Sequence, residues 1–224
     1  MRFFSVAWLI MTKDLKEEVR RKENVLASLF FAFISLVLLH FSVDEMASDI
    51  TKAGPGVLWI IVIFAGSLFM GNIFRKEEET GTFCALLMAP ADSGSIFLGK
   101  FLANFVFLSV LESFLVVLAF IFTGFPLHRG TASLASVFML VTLGYSAAGT
   151  IISAIVAREK GAALLYPLLL YPLLVPLFIA AVSLTGLAIS GAGILYSPWL
   201  RLVILFDILF FCAGLILFEF AAEE

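Results

Sequence analysis

The sequence predicts an all-α membrane protein with six transmembrane helices, an N-terminal amphipathic helix at the membrane interface and a short cytoplasmic helix between the second and third spans. Three observations predict it. Of 224 residues, 62% are hydrophobic and 14% charged, against roughly 25% charged in a soluble domain. The apolar residues, 25 Phe among them, fall in blocks of about 20, the length that crosses a hydrocarbon core roughly 30 Å thick. The basic residues between the blocks gather on alternate connections, as the positive-inside bias requires.

The chain begins MRFFSVAWLIMTKD, a charge followed by a short apolar run. Lys13 and Asp14 follow instead of the small-residue cleavage site of a secretory signal. Phe4, Trp8, Met11, Leu15 and Val19 recur at helical spacing, so residues 1–23 read as a helix lying in the interface, its Arg20, Arg21 and Lys22 toward headgroups.

Six apolar segments follow, at 25–43, 55–74, 101–123, 132–157, 161–184 and 198–221. With the N-terminus inside, the inner side collects Arg2, Lys13, Lys16, Arg20, Arg21, Lys22, Arg75, Lys76, Lys100, Arg158 and Lys160, leaving Lys52, Arg129 and Arg201 outside. Eleven against three orients the chain with both termini cytoplasmic. The outer connections, 44–54, 124–131 and 185–197, are too short for a folded domain, so residues 1–224 form one transmembrane domain. A soluble partner then has two cytoplasmic places to dock: residues 1–23 and the loop 75–100.

The fifth segment, LLYPLLLYPLLVPLF, holds Pro167, Pro172 and Pro176. Each lacks the amide hydrogen that a continuous helix uses, so a kink or local unwinding is expected. The freed carbonyls need protein or water nearby, which places this helix inside the bundle. A static kink is favoured over a moving gate. Glu112 and Asp207 fall near the middle of the third and sixth segments, where a charge costs at least about 2.5 kcal/mol. They are expected to face the bundle, as protonated or hydrogen-bonded structural groups or as part of a substrate or conformational pathway.

Other patterns exclude functions. GSIFLGKF, at 94–101, fits G-x-x-x-x-G-K, but Phe101 stands where a phosphate loop needs Ser or Thr and no strand precedes it. Cys84 and Cys212 make no metal, haem-attachment or redox spacing. No H-E-x-x-H or G-x-S-x-G occurs, so no catalytic residue or metal site is assigned. No basic patch suggests nucleic acid.

The inner loop reads FRKEEETGTFCALLMAPADSGSIFLGKF. Glu77, Glu78 and Glu79 make an acidic first turn, Phe83, Leu86 and Leu87 share one helical face, and Pro90 stops the helix. Such a helix can lie on lipid or seat in a groove of a soluble partner. Its acidic end suits lipid headgroups poorly and favours the partner.

The pattern R-K-E-x-E-x-G-T-x-x-x-L-L-x-x-P followed by I-x-x-G-K, over 75–100, resembles the coupling-helix region of ABC-2 type exporter permeases. Two further stretches, A-G-P-G-V-L-W at 53–59 and P-L-L-V-P-L-F-I-A-A at 172–181, with a length near 220 residues, resemble the haem exporter permease of cytochrome c maturation, the B subunit or CcmB family, across essentially the whole chain. The resemblance implies a permease subunit in the inner membrane that meets a cytoplasmic ABC ATPase through Glu78, Glu79, Gly81, Phe83, Leu86, Leu87 and Pro90. It implies ATP bound by that partner, and a haem-handling membrane protein and a periplasmic haem chaperone as further partners. Haem is a possible substrate, with no cofactor assigned to this chain. His40 and His128 are its two imidazoles and lie near the outer side; they are read as polar anchors ahead of haem ligands. An exporter permease for a lipid, drug or polysaccharide shares the inner-loop pattern, and a non-transporting subunit that releases haem-loaded chaperone fits the same resemblance.

Overall fold

The structure, a computed structural model, describes residues 2–44, 50–71, 74, 81, 92–123, 131–157, 159 and 161–223. Among them the architecture is all-helical: α1 (Arg2–Arg21), α2 (Glu23–Asp44), α3 (Ile50–Met70), α4 (Ser93–Thr123), α5 (Thr131–Val156), α6 (Ala162–Ile189) and α7 (Pro198–Glu223). The last four are long and apolar enough to cross a membrane, while α2 and α3 contain the shorter apolar stretches Glu23–Leu38 and Gly54–Met70.

Helix α4 begins at Ser93, eight residues before the expected start at Phe101 and inside the expected loop 75–100. Asp92 explains the early start. Its carboxylate accepts the Gly94 amide at 2.9 Å and its carbonyl accepts the Ser95 amide at 2.8 Å, a capping arrangement that satisfies amides left free in a first turn. Ile96 and Phe97 are then buried, so the turn is anchored by apolar packing as well. Polar Ser93, Ser95 and Lys100 hid this turn from a reading based on apolar runs.

Helix α6 stays helical from Ala162 to Ile189 with Pro167, Pro172 and Pro176 inside it, so the helix is not unwound at the prolines. Gly161, with φ of 97°, starts it from a left-handed conformation that glycine adopts without steric cost. The expectation that the proline helix occupies the interior needs correcting. Over its most apolar 18 residues α5 is 72% buried and α6 44%. Helix α5 touches α3, α4, α6 and α7, and α6 leaves Leu164, Leu168, Val175 and Ile179 exposed.

Small residues put α5 at the centre, because in lipid close backbone approach, not water exclusion, drives helix association. A Cβ on Gly149 would strike the Met70 side chain of α3 and come within 3.0 Å of the Tyr166 hydroxyl of α6, and one on Gly144 would strike Asp207 of α7. The same device joins α4 to α7, where the ring of Phe97 fills the space a Cβ on Gly214 would need. Hydroxyls and amides tie these helices across the apolar core: Asn104 donates to Thr150 at 2.7 Å, Tyr145 to the Ile63 carbonyl at 2.8 Å and Ser153 to the Met70 carbonyl at 3.1 Å.

Candidate functional site

Three places in the bundle bring polar or aromatic groups together. The first is the end of the bundle where α1 packs on α4. Of the expected stripe, Phe4, Trp8 and Val19 are exposed and Leu15 is half-buried, but Met11 is buried and belongs to another face. A second face, Ala7, Ile10 and Met11, is buried. It approaches α4 at Gly99, where a Cβ would lie 2.7 Å from Ile10 Cβ and 2.8 Å from the Ala7 carbonyl oxygen. Lys100, 2% exposed, places its Nζ 2.9 Å from Asp14 Oδ2 and 5.1 Å from the centre of the Phe74 ring. One lysine therefore joins α1, α4 and the residue that precedes 75–91. Gly99 and Lys100, which mimic a phosphate loop in sequence, build this junction.

The second place is a groove of about 510 Å³ between α3 and α6, within the usual range of small-molecule pockets. Its walls are apolar apart from Trp59, Tyr171 and Ser183. Trp59 donates to Thr185 at 2.9 Å, and Ser67 pairs with Tyr171 at 2.8 Å, so both helices are pinned at two levels. The Trp59 ring stacks on Phe138 of α5 at 4.9 Å and meets Phe178 edge-on at 5.6 Å. Pro172 and Pro176 immediately follow two lining residues, Tyr171 and Val175.

The third is a cavity of about 360 Å³ between α4 and α5 that holds Glu112. Glu112 is 4% exposed and accepts a 2.6 Å hydrogen bond from Thr142 through Oε2. Asp207 lies elsewhere, its two oxygens buried against α5 at Gly144. The two intramembrane acids thus face the bundle, on separate helix pairs, and do not form one site.

The model of the CcmB family, described as CcmB protein, matches residues 5–223. This chain belongs to the CcmB family. The match runs through every helix described above, so the bundle of this CcmB family member is the part of the chain that the family defines. Curated relatives include "Heme exporter protein B" of Escherichia coli, 23% identical over 99 residues, which are 44% of this chain and 45% of that protein. The protein of the same name from Rhodobacter capsulatus is 27% identical over 97 residues, 43% and 44% of the two chains. "Probable ABC transporter permease protein NosY" of Pseudomonas aeruginosa is 28% identical over 116 residues, 47% of this chain and 41% of the relative. The chain therefore spans less than half the length of each of these relatives. Family membership and the long apolar helices make it a multi-pass membrane protein.

In this CcmB family member, Gly81 is exposed with φ of 67°, a left-handed conformation suited to glycine. Glu78, Glu79, Phe83, Leu86, Leu87, Pro90 and His128 lie outside the described residues. His40 sits near the end of α2, half-buried between Phe41 and Phe122 at 5.6 and 6.0 Å. Sequence reading missed Asp14, Gly99, Lys100, Trp59 and Thr142. Polar residues inside apolar blocks were the available signal for Thr142, and a lone acid among Lys13 and Lys16 the signal for Asp14.

Proposed function

We propose that this chain is the membrane-spanning permease subunit of an ABC transporter of cytochrome c maturation. The observation that carries the reading is the family match over 5–223, which takes in the whole helical bundle. On this reading α2 to α7 are six spans of one domain in the inner membrane, both termini are cytoplasmic, and residues 75–91 are the coupling element that receives the stroke of a separate ATPase. ATP is bound and hydrolysed by that partner, and this chain supplies no catalytic residue. A haem-handling membrane protein and a periplasmic haem chaperone complete the assembly, and the stroke drives haem export or release of the loaded chaperone.

The inner junction supports the mechanical part of this reading. Phe74 stands just before the 75–91 segment and touches Lys100, which grips Asp14. A push on that segment reaches α1 and α4 together through these contacts. Helix α3, which leads into the segment, and α6 enclose the apolar groove, so their relative movement alters the surface offered to an apolar cargo. Pro172 and Pro176 act as fixed bends in this scheme.

A second reading, an exporter permease for a lipid, drug or polysaccharide, is favoured by the match to a permease of another name and by the apolar groove. Purifying the tagged full chain in mild detergent and identifying its partners separates the two. An ATPase recovered with haem-maturation proteins supports the first reading, an ATPase recovered with lipid-export proteins supports the second, and the absence of any ATPase contradicts both.

A further inference from the structure

The α4–α5 cavity has a polar wall of one kind. Ser109 donates its hydroxyl hydrogen to the Phe105 carbonyl at 2.8 Å and Ser113 donates to the Ser109 carbonyl at 2.7 Å. Both hydroxyls therefore present lone pairs, not hydrogens, to the cavity they line. Glu112 Oε2 lies 2.6 Å from Thr142 Oγ1, whose single hydroxyl hydrogen is shared with the Phe138 carbonyl at 2.7 Å, while Oε1 is buried with no hydrogen-bond partner among the described residues. The remaining wall, Val116, Val117, Leu134, Ala135, Phe138 and Met139, is apolar but for a weakly accepting thioether. Helices α4 beyond Lys100 and α5 throughout contain no Lys or Arg that could pair with the carboxylate.

The depth is equally specific. Glu112 lies 12 residues beyond Lys100 and 11 before Thr123, about 18 and 16 Å along a helix. A bundle that spans the membrane places it close to the midplane, where lipid offers no hydrogen to an acceptor. A carboxylate with one orphaned oxygen, two serine hydroxyls and apolar side chains line one cavity there.

We propose that this cavity binds a small amphiphile whose polar end is a primary ammonium, with Glu112 as its anchor. The ammonium has three hydrogens for three acceptors, Glu112 Oε1, Ser109 Oγ and Ser113 Oγ, and its charge neutralises the carboxylate. The apolar body lies along Val116, Leu134 and Phe138. A carboxylate-bearing ligand meets like charge and no donor, so the site selects against anions such as acidic tetrapyrroles. It is therefore separate from the α3–α6 groove, from which the stacked pair Trp59 and Phe138 divides it.

That stacked pair supplies the reporter. With Trp8 and Trp199 replaced by Phe, the emission of the full chain in phosphatidylcholine nanodiscs comes from Trp59, one ring away from the cavity. Octylamine, octanol and octanoate share a tail and differ at the head, and are titrated at neutral pH. The expected result is a saturable change with octylamine and none with octanol or octanoate at equal membrane loading. Glu112→Gln is expected to weaken octylamine about 10- to 100-fold, the range of one charge-assisted hydrogen bond. Ala135→Phe, a change at an exposed lining position that leaves Glu112 in the sequence, is expected to abolish the response, and it carries the test if Glu112→Gln does not fold. Equal responses to octanol and octylamine, an undiminished response in either variant, or no response to octylamine overturns the proposal. A cross-link from Met139→Cys to another protein's helix, blocking octylamine, overturns it in favour of a helical partner.

Discussion

Replacing Lys100 by Met removes the charge that joins α1 to α4 and leaves Asp14 in place. The Lys100 side chain is 2% exposed and that of Asp14 13%, with 2.9 Å between Nζ and Oδ2. Breaking a buried pair from one side costs about 3–5 kcal/mol, because the remaining charge loses its partner. Asp14 keeps some access to water and a second cation, Lys13, whose Nζ is 3.5 Å from Oδ1, which places this case at the lower end, about 3 kcal/mol. Since α1 packs chiefly on α4, the loss is spent on local release of α1 and not on the bundle. Amide hydrogen exchange of the full chain in nanodiscs reads it directly. Amides of α1 around Ala7 to Asp14 are expected to exchange roughly 100-fold faster, the equivalent of about 3 kcal/mol, with α5 unchanged. Gly99→Ala tests the same seam sterically. Its Cβ would sit 2.8 Å from the Ala7 carbonyl oxygen, inside an ordinary contact of about 3.5 Å. An outward shift of α1 costing about 1–3 kcal/mol is expected. The double change Asp14→Leu with Lys100→Met recovers most of the protection, because an apolar pair of similar volume carries no stranded charge. Exchange in Lys100→Met within about twofold of the parent, roughly 0.4 kcal/mol, or a double variant no better than the single, refutes the buried-pair account.

Gly214→Ala is expected to lower stability by about 1–3 kcal/mol, since the new Cβ enters the Phe97 ring; an unchanged unfolding midpoint in detergent argues against the α4–α7 packing. Trp59→Phe keeps the stacking on Phe138 and loses the bond to Thr185, an expected loss of about 1 kcal/mol by thermal unfolding; a loss above about 3 kcal/mol points to repacking instead. Replacing Pro172 and Pro176 together by Ala is expected to change stability more than partner-dependent ATPase activity, and an assembled but inactive complex shows a hinge. A cysteine at Tyr196, which is 89% exposed, is expected to react with an impermeant thiol reagent from outside intact cells. One at exposed Glu159 reacts only after the membrane is opened, and the reverse pattern inverts the topology.

The apolar helices were legible because membrane thickness imposes a block length, and four of them are long and apolar enough to cross a membrane. Their ends were less legible, because caps and partners set them. Asp92 starts α4 eight residues early by a local hydrogen bond, and no apolar count registers that. Burial within the bundle was misjudged for a related reason. Prolines drew attention to α6, but Gly144 and Gly149 bring neighbours on three helices close to α5, and the small residues of TASLASVFMLVTLGYSAAGTIISAIV were the signal for it. The search for a partner of Glu112 looked for a cation and found none, while the group that holds it is the neutral hydroxyl of Thr142. The sequence places Lys100 as an inside charge and in the I-x-x-G-K pattern, but its pairing with Asp14 depends on α1 folding back across a distance in sequence that periodicity does not sense.

The proposed function requires that residues 75–91 connect this chain to an ATPase, and the contact face expected from the sequence makes that directly testable. The full chain with Phe83→Asp and Leu87→Asp is expressed with the ATPase that co-purifies with the parent chain, and the ATPase retained per copy of this chain is measured after purification in mild detergent. Buried aromatic and aliphatic anchors dominate helix-in-groove contacts, so the account predicts normal membrane insertion, loss of the ATPase and loss of cytochrome c maturation. Retention of the ATPase at the parental stoichiometry with maturation intact contradicts it.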